Sequence, residues 1–179
     1  MKTSKRKRRM IFNNDGDDIW SVKSADPDEL INQRTALLKG THVDSIFYST
    51  VRGSFGVFSH NTKIGTMRTN EIIIEGKIDP LQVMVDFARE NDIEIFWSMR
   101  MNDVHDAWQP KIIPEFKKEH PEYLIGSVEK RPAYGEWTAV DYGHPKIRDL
   151  AFRYFKEVCQ NYDIDGIELD FFRHPVLFK

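Results

Sequence analysis

The chain's 179 residues, 40% hydrophobic and 30% charged, make an ordinary globular composition with enough apolar material for a sizeable core. A formal net charge of −2 gives no reason to expect a nucleic acid or another polyanion as partner. The lone Cys159 excludes a disulfide within the chain, and no apolar run approaches the length of a membrane span.

Residues 1–7 read as a short, solvated basic tail. It leads into MIFNNDGDD and not into an apolar stretch of signal-peptide length, so no secretory leader is expected and the cytoplasm is the default compartment. The first strand is expected at 8–13, RRMIFN, with Arg8 and Arg9 partly inside it and the turn NDGDD behind it. SADPDELINQRTALLKG then predicts a helix: Asp26 caps it, Pro27 takes the first position and Gly40 lies near its end. Leu30, Ile31, Leu37 and Leu38 supply its apolar spacing, interrupted by Arg34. VDSIFYSTV, 43–51, is the second strand, followed by a long loop over 52–70. DPLQVMVDFARENDI repeats the helix start, with Asp79 as cap and Pro80 first inside. IEIFWSMRM, 93–101, is the third strand, and a long polar and aromatic loop runs to about residue 143. HPKIRDLAFRYFKEVCQNY predicts a third helix with Ile147, Leu150, Ala151, Tyr154, Phe155 and Val158 on one stripe and Cys159 as a buried, inert thiol. DGIELDFF, 165–172, is the fourth strand.

Strands alternating with helices at this spacing imply right-handed crossovers and a parallel sheet. No glycine-rich phosphate turn follows the first strand, which argues against a dinucleotide-binding fold. The expectation is α/β: residues 8–179 form the N-terminal half of a (β/α)8 TIM barrel, with long loops after strands two and three. Open strand edges and an inward face carrying Phe12, Phe96 or Phe172 predict self-association of such a half-barrel. Barrels place their chemistry at the C-terminal ends of strands, and each strand here ends in polar residues. These are Asn13, Asn14 and Asp15; Ser49 and Arg52; Arg100, Asn102 and Asp103; Asp170, Arg173 and His174.

Glu168 and Asp170 interrupt an otherwise apolar strand, and ionised groups there are expensive unless paired, hydrogen-bonded or used. Alternation puts both on the face of Gly166, inside the barrel, with Ile167, Leu169 and Phe171 toward the helices. Phe96, Ser98, Arg100 and Asn102 form the matching face of the third strand, so Arg100 is expected to meet Glu168 or Asp170. A buried pair with Arg100 suits the deeper Glu168, and a reacting carboxylate suits Asp170 at the rim. The two acids stand roughly 6.5–7 Å apart along one wall. A sugar must be flanked from opposite sides, so the partner acid is expected on another strand.

RRMIFNNDGDD, FWSMRMNDVHDAW, FKKEHPEYLIG and YDIDGIELDFFRHP together resemble the glycosyl hydrolase-like family 10 proteins. The resemblance runs from Arg8 over nearly the whole chain. It implies a bacterial barrel assigned to carbohydrate hydrolysis, with a family domain extending past residue 179. DGIELDFF is also similar to the fourth-strand motif of chitinase-type hydrolases, D-G-x-D-x-D-x-E, but Phe172 falls where the catalytic glutamate belongs. Chitinase-type chemistry is therefore not expected.

NDVHDAW offers Asp103, His105 and Asp106, but the spacing fits no zinc signature, so no metal is expected and a polar loop lining a sugar cleft is preferred. Trp108, Tyr134, Trp137 and Tyr142 either stack on sugar rings or fasten the loop. The acids of NNDGDD lack the rest of a calcium loop. With no P-loop, G-x-S-x-G or Cys–His arrangement, no cofactor is expected. The reading is a glycoside hydrolase acting on an oligo- or polysaccharide, its acids Asp170 and Glu168. Asn13, Asp15, Arg100, Asn102, His105, Trp137, Arg173 and His174 are the expected sugar contacts. A non-catalytic carbohydrate-binding barrel is the alternative.

Overall fold

The computed structural model describes residues 7–179, so the basic tail lies almost wholly outside the described residues. Four parallel strands form one sheet in the order β1 (Ile11–Asn14), β2 (Ser45–Ser49), β5 (Glu94–Arg100) and β6 (Gly166–Asp170). The strand-to-strand connections carry α1 (Pro27–Asn32), α3 (Pro80–Glu90) and α5 (Pro145–Asn161). This is the strand–helix alternation of a (β/α)8 barrel, with four of its eight strands present. The loop after β2 adds a two-residue pair, β3 (Val57–Phe58) with β4 (Thr66–Met67), and a short α2 (Glu71–Glu75). The loop after β5 adds α4 (Glu115–Glu119).

The predicted caps form. Asp26 accepts from Asp28 N, and Asp79 accepts from Leu81 N and Gln82 N, each with proline just inside the helix. The first helix is shorter than its apolar spacing predicts. It stops at Asn32 and gives way to a 3-10 turn over Thr35–Leu38. The change of phase buries Leu38 and leaves Leu37 exposed, while Arg34 turns outward to pair with Asp17 at 2.7 Å. In α5 the predicted stripe packs inward, but Cys159 sits one position round the helix and is exposed, not buried.

Register sorts the sheet into two faces. Ile46, Tyr48, Ile95, Trp97 and Met99 point toward α3 and α5 and are fully buried in the main core. Burial of each aliphatic side chain there is worth about 1.5–3 kcal/mol. The other face builds layers from Asn13, Phe47, Phe96 and Gly166, then Ser49, Ser98 and Glu168, then Arg100 and Asp170. Gly166 is needed because a Cβ there would meet the Phe96 ring at 2.5 Å. Phe12 belongs to the helix-side core, not the inward face, because its register partner is Ile46. Leu169 and Phe171 are half-exposed, since no described helix covers β6, and only Ile167 reaches the core. No helix among the described residues is long and apolar enough to cross a membrane.

Candidate functional site

The strand ends meet in a depression of about 270 Å³ whose walls include Asp15, Trp20, Arg100, His105, Gln109 and Arg173. A second depression, about 370 Å³, is lined by Trp108, Tyr134 and His174 among others. The His105 and His174 rings, 5.4 Å apart and perpendicular, stand where the two meet. A larger hollow of about 770 Å³ lies at the opposite end of the strands, around Met10, Gly40 and Asp44, where a barrel carries no chemistry.

The floor is set by the turn after β1. Asn14 Oδ1 accepts from Gly16 N at 2.8 Å, and its Nδ2 donates to Asp18 at 3.0 Å. Gly16 has φ 68°, and a Cβ there would strike Ser49 O and the Arg52 guanidinium. Arg52 is buried and donates to the carbonyls of Asp15, Gly16, Ser49 and Val51. It lines the depression while its guanidinium is spent on bracing this turn. Trp20, half-exposed, is presented by the same turn, with the Arg68 guanidinium 5.1 Å above its ring.

The charged centre is Asp15, Arg100 and Asp103. Arg100 spans from β5 to Asp15 at 2.7 Å and holds Asp103 at 3.2 Å. It does not pair with Glu168 or Asp170, although Asp170 is its register partner. Arg173 also turns to Asp15, at 3.2 Å. Burial by itself would raise the Asp15 carboxyl, but hydrogen bonds and charge from Arg100 and then Arg173 outweigh it and hold its pKa below the usual value. Asp103 is fully buried. Its desolvation is likewise outweighed, by His105 and Arg100, and its carboxyl stays ionised. The 2.6 Å contact with Asp103 raises the His105 pKa, whereas burial lowers that of His174.

Among the described residues Asp170 accepts only from the backbone N of Phe172, at 2.9 Å, and has no cation on it. Of the strand-end acids Asp15, Asp103 and Asp170, it alone is outside an ion pair. Glu168, one layer deeper, has its Oε2 buried and without a hydrogen-bond partner.

Several expected contacts are occupied elsewhere. Asn102 is buried and spends its amide on Val140 N, Val140 O and Val176 O. Trp137 packs on the core, and the Tyr142 hydroxyl donates to Met101 O at 2.5 Å, so both fasten the long loop. Asp106 leaves its neighbours to meet Lys117 at 2.7 Å and Ser54 at 2.6 Å in a fully buried cluster. Asn13 remains on the inward face. Sequence reasoning missed Trp20, Arg68 and Gln109, because nothing in their spacing shows that separate loops bring them to one cleft.

Solved structures of similar fold include a noncanonic maltogenic alpha-amylase, AmyB, from Thermotoga neapolitana, at 13% identity and TM-score 0.53, over 88% of this chain and 38% of that one. An alpha-galactosidase from Lactobacillus brevis matches at 12% identity and TM-score 0.53, over 94% of this chain and 21% of its own. The alpha-galactosidase TtGalA from Thermus thermophilus, solved with p-nitrophenyl alpha-D-galactopyranoside, matches at 13% identity and TM-score 0.53, over 93% and 31%. At these identities the likeness is one of fold, and the chain spans well under half the length of each of these proteins. No curated protein matches the sequence. The glycosyl hydrolase-like 10 model matches residues 14–178, nearly the whole sequence, and the chain belongs to that family.

Proposed function

We propose that this chain forms part of a glycoside hydrolase domain in which Asp170 acts on the glycosidic bond, as general acid or as electrostatic stabiliser of an oxocarbenium-like centre. The observation that carries the proposal is the isolation of Asp170. It ends β6 on the inward face, at the mouth of the sheet, with no cation to fix its charge. Beside it, Arg100 and Arg173 hold Asp15 ionised, which suits Asp15 to accepting sugar hydroxyls and not to delivering a proton. Trp20 on one side and Trp108 and Tyr134 on the other offer apolar ring faces to a chain of sugars. Glu168 stands below Asp170 on the same wall, so the partner acid would come from outside these four strands.

The test is a screen of oligosaccharides for release of reducing ends by a protein carrying the remaining strands of the domain, with Asp170→Asn in that protein as comparison. Hydrolysis lost in Asp170→Asn, with sugar binding retained, supports the assignment. Sugar binding without hydrolysis in either protein, for every oligosaccharide, would favour the non-catalytic barrel.

A further inference from the structure

We propose that Asp103, His105 and His174 form a binding site for a divalent transition metal of the zinc type. One potential ligand atom from each lies within 4.8 Å of the others. Two imidazoles and a carboxylate are a ligand set for zinc, copper or nickel and a poor one for calcium or magnesium, which take oxygen.

The ring geometry agrees. Zinc–imidazole bonds of about 2.0–2.1 Å at a tetrahedral angle set two ring centres roughly 5.3 Å apart. His105 and His174 are 5.4 Å apart. A simple Asp–His pair would explain the 2.6 Å contact between Asp103 Oδ1 and His105 Nδ1. It leaves His174 unexplained, for its Nε2 is buried and has no hydrogen-bond partner. A shared metal would satisfy that nitrogen, displacing the proton now held between Asp103 and His105; those two ligand atoms would part to about 3.3 Å and His174 would close on them.

The surrounding charges permit a cation. Arg100 lies on the other oxygen of Asp103, at 3.2 Å, leaving Oδ1 for the metal. Arg100 pairs with Asp15 at 2.7 Å as well as with Asp103, and Arg173 pairs with Asp15 at 3.2 Å, so the two carboxylates balance the two guanidinium charges. Three protein ligands leave a fourth position open. His105 lines one depression and His174 the other, so that position faces the cleft. The metal would also tie the loop after β5 to the turn after β6. The site does not depend on the role of Asp170.

The test uses the untagged 179-residue chain, stripped with chelator and dialysed against zinc, with cobalt(II) as spectroscopic probe. One equivalent of zinc bound, and the visible absorption of four-coordinate cobalt, are expected. His174→Ala and His105→Ala should each weaken binding about 100-fold or more, while His120→Ala, at an exposed site, leaves it unchanged. Circular dichroism confirms folding, and if His105→Ala fails to fold, His174→Ala decides. No binding by the wild-type chain at a tenfold excess of zinc, or undiminished binding by folded His174→Ala, overturns the proposal.

Discussion

Arg100 passes over β2 to place its Nη2 2.7 Å from Oδ1 of Asp15, leaving Asp170, its register partner on the adjacent strand, without a cation. The choice follows from the stronger cluster on that side. Asp15 and the fully buried Asp103 together offer two carboxylates to one guanidinium, and Asp103 has no solvent to fall back on.

Arg100→Met should therefore destabilise the fold by about 3 kcal/mol, because Asp103 would keep only His105. Asp15→Asn should cost far less, since Asp15 is half-exposed and its pairs are screened by solvent. Urea denaturation of the two variants at neutral pH compares them. Equal losses would mean that the buried Asp103 is not what makes Arg100 necessary.

Glu168→Gln should leave the melting temperature unchanged or raise it. The variant removes a charge whose Oε2 is buried without a hydrogen-bond partner, and breaks no ion pair. A melting temperature well below wild type would show that Glu168 has a partner after all.

Lys117 and Asp106 are both fully buried, 2.7 Å apart. Removing either partner alone leaves a stranded charge, and Lys117→Met or Asp106→Leu should each cost about 3–5 kcal/mol. The double variant should recover much of that loss, which a double-mutant cycle would read as a large coupling energy. Simple addition of the two losses would contradict this account.

His60 predicts an acid-sensitive fold. Trp97 Nε1 donates to the Thr50 hydroxyl at 2.7 Å, and that hydroxyl in turn donates to His60 Nδ1 at 2.6 Å, which suits a neutral ring. Burial, with Arg52 adding repulsion, lowers its pKa from 6.5 to about 3. The folded pKa lies below the unfolded one, so the unfolded chain binds the proton first. Stability is full above pH 6.5 and falls as the pH drops toward 3. By pH 4.5 this one group should cost about 2–3 kcal/mol. Denaturation of wild type and His60→Gln at pH 7.5 and pH 4.5 isolates it, the variant losing less on acidification. The same loss in both proteins would sink this assignment.

Trp20→Ala should weaken oligosaccharide binding with little change in stability, for its ring is half-exposed at the cleft. Trp137→Ala should do the reverse, because that side chain packs on the core. Thermal melts and sugar titrations on both variants separate the roles, and weaker binding in Trp137→Ala at unchanged stability would reverse the assignment.

Local rules determined much of this protein. The Asp-Pro helix starts at Asp26 and Asp79, the stripe of α5 and the four parallel strands all follow from periods of 3.6 and 2 and from the geometry of proline. Alternation also put Glu168 and Asp170 on one inward face. What a long side chain touches is another matter, because Arg100 can reach several acids and only their relative burial selects among them. The same holds for Asp106, drawn to Lys117 by a buried charge eleven residues away, and for His174, brought to Asp103 and His105 from the far end of the chain. Spacing in sequence encodes the backbone's local geometry, whereas these contacts arise between loops whose paths the tertiary fold alone decides.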